Sequence, residues 1–260
     1  MSSEVRHLVD RGLAYPLVRL SGVLDSATAP AVRSVLLNVL AEQPEALVVD
    51  VSELRVAGSG AAQVLRDVRR DTADWPAAHL ALCGGTRATP WRDTGWPVWS
   101  DCPEAFAELG TPEHDRRLSL ALEPQVGSAR RSRELITEAC GRWDCPELAG
   151  AACIVATEMV NNVVAHAKTP MVVLLAAHGA GMTVAVRDRS AVVPSFTAGP
   201  VSPTAFGGRG MLLIDAVASR WGSLVLDGGK VMWALLEPGG PAGPARRNRS
   251  GASMAGPTHG

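Results

Sequence analysis

Aromatic residues are scarce in this chain: they make up 4% of its 260 residues, and the set is one tyrosine, three phenylalanines and seven tryptophans. So few rings give no base-stacking array, no basic recognition helix is present, and a formal net charge of −1 supplies no attractive field for a polyanion. Direct nucleic-acid binding is not expected. No segment approaches the unbroken apolar run of about 18 residues that crosses a bilayer. The start, Met1-Ser2-Ser3-Glu4-Val5-Arg6-His7, has no signal-peptide pattern, so no membrane and a cytoplasmic location are expected. Five cysteines, Cys83, Cys102, Cys140, Cys145 and Cys153, form an odd set without C-x-x-C spacing, and are read as buried thiols rather than a disulfide framework or a zinc site. No internal repeat is evident.

What the chain does have is length and apolar content for two cores: 47% of its residues are hydrophobic. The segment Gly110-Thr111-Pro112-Glu113-His114-Asp115 breaks the periodicity with Gly, Pro and charge, as a linker does. We therefore expect a first domain over 1–109, a linker over 110–117, a second domain over 118–238 and a disordered tail over 239–260. The tail carries Arg246, Arg247 and Arg249 and is read as solubilising.

The most informative stretch is Ile154 to His166. Helical geometry puts Glu158, Asn162 and His166 at i, i+4 and i+8, a polar stripe on an otherwise apolar helix. An acid, a carboxamide and an imidazole among Val, Met and Ala suit a polar-lined pocket better than a solvated face. Further on, Val184-Ala185-Val186-Arg187-Asp188 is a strand ending in an acid. Gly207-Gly208-Arg209-Gly210 then runs into the apolar helix Met211 to Val217. In that order these are the parts of a nucleotide site. A Glu can orient or deprotonate an attacking hydroxyl, and an Asn oxygen suits Mg²⁺. An Asp accepts from the adenine 6-amino group, which guanine lacks. Glycines let backbone N–H groups approach phosphate at a helix start. Arg209 can grip phosphate oxygens from within the glycine segment. His166 is read as structural, Lys230 as a solvated strand-edge lysine, and Trp233 as core.

On these residues the C-terminal half, Leu118 to Glu237, resembles the Bergerat-fold ATPases of histidine kinases and gyrase-type topoisomerases, and in particular the anti-sigma-factor serine kinases. Glu158-x-x-x-Asn162 with His166 is similar to their first box, and Val186-Arg187-Asp188-Arg189-Ser190 to their adenine box. Gly208-Arg209-Gly210-Met211 and Gly229-Lys230-Val231-Met232-Trp233 are similar to the remaining two signatures. The resemblance implies a two-layer α/β sandwich that binds ATP and Mg²⁺. It gives Glu158 the role of base or orienter, Asn162 that of metal ligand, Asp188 that of adenine acceptor, and Gly208, Arg209 and Gly210 that of phosphate cradle.

The N-terminal half alternates. Leu17 to Leu20 reads as a strand and Gly22 to Asp25 as its exit, followed by a helix from Ser26 through Ala41 with Pro30 in its first turn. Ala46 to Asp50 is a buried strand, Ser59 opens a helix through Val68, Ala78 to Cys83 is a strand, and Pro103 to Leu109 a short helix. This implies a small α/β layer. Leu20-Ser21-Gly22-Val23-Leu24-Asp25 and Val49-Asp50-Val51-Ser52 resemble the early strands of the STAS domain of anti-sigma-factor antagonists, which places Ser59 at the phosphoacceptor position. Where that family has Asp, Ser, Ser or Thr, and Gly, this chain has Gly58, Ser59, Gly60 and Ala61, so a helix N-cap stands beside the acceptor role for Ser59.

Together the resemblances imply a STAS-like α/β domain joined to an ATP-binding, kinase-like domain in a partner-switching circuit. The expected activity is serine phosphorylation of a STAS-type antagonist. The alternative is a non-catalytic, nucleotide-gated binding module whose STAS half is a pseudo-substrate. The expected partners are a STAS-type antagonist, a sigma factor, or a second copy of the chain where the short linker forbids docking within one chain.

Overall fold

Ala46, Leu47, Val48 and Val49 are each 0% exposed, so this strand is covered on both faces, as a central parallel strand is. The computed structural model describes residues 4–58, 62–73, 79–84, 91, 94–192, 209–240 and 246–250. The chain divides into two units, Met1–Arg117 and Leu118–Gly260.

In the first unit the elements follow as β1 (Val5–Asp10), β2 (Leu17–Leu24), α1 (Ala29–Leu40), β3 (Ala46–Val56), α2 (Gln63–Asp71), β4 (His79–Cys83) and α3 (Cys102–Leu109). The sheet order is β1-β2-β3-β4, with β1 antiparallel to β2 and the others parallel. Leu17, Ala46, Val48, Ala81 and Cys83 face Ala105 of α3 in one cluster, with Tyr15 sealing it. β2 does not exit at Gly22; it continues to Leu24 past a register shift after Arg19. At Gly22, φ is +101°, a conformation that glycine permits, and a Cβ there would strike the carbonyl oxygen of Glu4, just before β1. Asp25 then folds the chain into α1, its Oδ1 accepting from the backbone N–H of Ala27 and Thr28.

The cysteine expectation is corrected here. The end of β4 and the start of α3 bring the Cα atoms of Cys83 and Cys102 to 5.0 Å, and the two sulfurs are bonded. A separation of 19 residues carries no sign of that meeting, which the crossover creates. Cys140, Cys145 and Cys153 are thiols.

In the second unit β5 (Arg117–Leu122) leads to α4 (Ser128–Arg142), a short 3₁₀ turn and α5 (Ala149–Asn162). Then come the hairpin β6 (Met171–His178) and β7 (Gly181–Asp188), α6 (Arg209–Val217), the hairpin β8 (Arg220–Leu226) and β9 (Gly229–Leu236), and β10 (Arg246–Ser250). The sheet order is β10-β8-β9-β7-β6-β5. Its core-facing residues alternate: Val173 and Leu175 on β6, Val184 and Val186 on β7, and Met232 and Ala234 on β9 meet Val155, Met159 and Val160 of α5 and Met211 and Ile214 of α6. The helical stretch Pro146–Ala167 is 22 residues long with a mean hydropathy of 1.5. Most of its apolar residues belong to this core, while Ile154 is exposed.

Within the segment expected to be a tail, one stretch is described as a strand. Arg246–Ser250 pairs in parallel with Arg220–Leu224 of β8. An edge strand offers unpaired backbone groups to any chain within reach, and composition does not report that opportunity.

Candidate nucleotide site

The first half of the site is built by α5 against α6. Glu158 and Asn162 keep the i, i+4 relation, because α5 is regular through Asn162. His166 does not complete the stripe. Residues Val163–Ala167 form a π turn, closed by the Lys168 N–H on the Val163 carbonyl at 2.7 Å, with Lys168 left-handed at φ +53°. The wider turn takes His166 off the line of the other two and leaves it exposed.

Gly210, in the first turn of α6, packs on Glu158: a Cβ there would lie 2.5 Å from Glu158 Oε2. No larger residue fits without moving that carboxylate. One position on, Asn162 Nδ2 donates to the Met211 sulfur at 4.0 Å. Thus Glu158, Asn162 and Gly210 are brought together at the start of α6, where free backbone N–H groups favour anions. Trp221 Nε1 donates to Asp215 Oδ1 at 2.8 Å and pins the other end of that helix. Arg209 begins α6. Gly207, Gly208 and Ser59 lie outside the described residues.

The second half is built by the sheet. Asp188 ends β7 and Lys230 is its direct cross-strand partner on β9. Both are buried, at 3% and 4% exposed. Lys230 Nζ lies 2.9 Å from Asp188 Oδ1, 2.8 Å from Oδ2 and 3.1 Å from the Ser190 carbonyl oxygen. The Ser190 N–H donates to Asp188 Oδ1 at 2.7 Å. Lys230 is therefore not a solvated edge lysine. Register sets its side chain toward the core, where a buried ammonium needs a counter-ion. The residue that sequence reasoning undervalued is this lysine, and the signal was its opposition to Asp188 once the two strands are paired through the sheet.

A cavity of about 610 Å³ opens beside this pair, lined by Arg131, Met171, Arg187, Asp188, Arg189 and Gly229 among others; Glu158 and Asn162 do not line it. Gly229 packs so closely on the Asp188 carbonyl that a Cβ has no room.

These donors suit a nucleotide with Mg²⁺. A carboxamide oxygen and a carboxylate are hard ligands for the metal. The glycine at the α6 start leaves phosphate access to backbone, and the buried Asp188 carboxylate is an acceptor for an exocyclic amine.

Comparison with known proteins gives the same division. A histidine kinase-like ATPase domain matches residues 122–232, and a STAS domain matches residues 9–86. Among solved structures the chain is similar to an anti-sigma factor antagonist from Mycobacterium paratuberculosis, at 25% identity over 40% of this chain and 93% of that one, with a TM-score of 0.34. No curated protein matches the chain. This chain thus carries a STAS domain followed by a histidine kinase-like ATPase domain.

Proposed function

We propose that the chain is an ATP-dependent regulator of the anti-sigma-factor type, whose second unit phosphorylates a serine of a STAS-type protein. The domain pair supports a role in sigma-factor regulation in general. The observation that carries the kinase reading is the contact of Glu158 with Gly210, which sets an acid beside the N-terminal turn of α6 with Asn162 one helical turn away.

In the step proposed, the substrate serine Oγ attacks the γ-phosphorus of ATP. The bond from that phosphorus to the β–γ bridging oxygen breaks, and ADP leaves with the electron pair. The hydroxyl proton passes to Glu158. Asn162 would hold Mg²⁺, which when bound would offset negative charge on the phosphates; Gly208, Arg209 and Gly210 are assigned the phosphate cradle, and Asp188 the acceptor role toward the adenine amine.

The second reading, a nucleotide-gated binding module with the STAS half as pseudo-substrate, is favoured by one feature. Gly58 has φ +93°, a conformation that strains the acid found there in STAS phosphoacceptors. The test is incubation of the full chain with labelled Mg-ATP, alone and with separate STAS proteins, followed by phosphosite mapping. Label on the added STAS protein that disappears with Asn162→Ala supports the kinase. Nucleotide binding without any transfer supports the module, and phosphate on Ser59 overturns the pseudo-substrate assignment.

A further inference from the structure

The chain has only two lysines, Lys168 and Lys230, among 25 basic residues. Lys168 is exposed, and the other is buried against the acid to which the base-reading role falls. Its ammonium has three N–H groups, and three oxygens lie within reach: Asp188 Oδ1, Asp188 Oδ2 and the Ser190 carbonyl. The carboxylate is less well served. Oδ1 accepts from both Lys230 and the Ser190 N–H, while Oδ2, though 2.8 Å from Nζ, is a buried oxygen that receives no directed hydrogen bond. The acid is neutralised but not saturated.

We infer that Lys230 is a displaceable internal counter-ion, which competes with the 6-amino group of an adenine nucleotide for Asp188 and so sets both affinity and base preference. The inference rests on the nucleotide reading above. An exocyclic amine aimed at Oδ2 supplies the bond that the ammonium leaves unmade. Displacement is within the lysine's means: it is a compact charge on a flexible stem, not a planar fork fixed by two bonds. It is also the second residue of β9, directly after the Asp227-Gly228 turn, and the neighbouring cavity is lined by Glu123, Gln125 and Gly229. The ammonium also weakens base discrimination. Beside a bare carboxylate the 6-carbonyl of guanine meets repulsion, whereas beside the ammonium it meets a donor. Lys230 also donates to the Ser190 carbonyl, so its displacement breaks that bond too.

The test uses the full chain with Lys230→Met and Lys230→Gln, titrated with Mg-ATP and Mg-GTP by calorimetry, with thermal melts confirming the folded fraction. Lys230→Met should bind ATP about tenfold more tightly, a 1.4 kcal/mol change, and widen the ATP-over-GTP ratio by a similar factor. Lys230→Gln, which keeps a neutral donor, should fall between. Equal or weaker ATP binding by a folded Lys230→Met, with an unchanged ratio, overturns the inference while leaving the nucleotide reading in place. Binding by none of the three chains overturns the nucleotide reading and the competition with it. A second measurement needs no variant. With ¹⁵N-labelled lysine, the buried Lys230 ammonium should give a slowly exchanging signal that disappears at saturating ATP. A signal that persists at saturation overturns the displacement.

Discussion

The two ends of the candidate site are built on opposite principles. At the helix end, Glu158 and Asn162 are half-buried, and among the described residues a glycine packs on the carboxylate and a thioether accepts from the carboxamide. At the sheet end, Asp188 is buried and engaged by a buried lysine and by backbone. An acid that must take a proton has to be reachable. An acid proposed to recognise a base has to be held in one orientation, and burial with the Ser190 N–H on Oδ1 does that, while Lys230 balances its charge. The difference teaches where each proposed role has a physical basis: a buried ion pair that can carry stability at the sheet end, and a reachable acid that suits the proposed chemistry at the helix end.

That division can be broken by substitution. The largest expected effect is on stability: Asp188→Asn leaves the Lys230 ammonium buried without a counter-ion and should destabilise the second unit by about 3–5 kcal/mol, read by chemical denaturation of the full chain. A loss under 1 kcal/mol would mean that the pair is not a structural element.

Next is Glu158→Gln, which should lower phosphoryl transfer about 10²-fold while leaving stability within about 0.5 kcal/mol. Gly210→Ala should reproduce part of that loss by pushing the Glu158 carboxylate aside, since the added carbon meets the end of a flexible side chain. Equal stability losses at both ends would erase the comparison. Gly229→Ala sharpens it, because there the added carbon meets backbone at Asp188 and Arg189, and the expected loss is about 1–3 kcal/mol, visible as a lower Tm.

A further effect lies in the core of the second unit. Burial first, then Cys145, pushes the Cys140 thiol from 9.0 up to about 12. The folded chain keeps that proton where the unfolded chain loses it, so the contribution to stability is complete below pH 9 and is lost as pH rises towards 12. Native protein at pH 8 should leave Cys140 unalkylated by iodoacetamide. Rapid labelling there would show that the core opens.

Much of the fold was legible because local pattern suffices for it. The strand read as ending at Asp188 is the end of β7, and the apolar run at Ala46 is the start of β3. The exposed strand β1 and the half-buried β5 escaped notice, since their mixed patterns become strands only by pairing with neighbours. Within the site, the grouping of Glu158 and Asn162 follows from helix periodicity alone, while His166 fell outside it through a π turn that no residue type announces.

By itself, then, the sequence determined what is local: the periodicity of α5, the strand that ends at Asp188, the apolar run of β3, and the residue types that a nucleotide site needs. Only the tertiary structure decided what depends on register and crossover. It set Lys230 opposite Asp188, pressed Gly210 onto Glu158, joined Cys83 to Cys102, and laid Arg246–Ser250 on the edge of β8. The reason is distance along the chain: partners separated by tens of residues meet through hydrogen-bonded ladders and packed helices, and no composition or spacing encodes which meeting occurs.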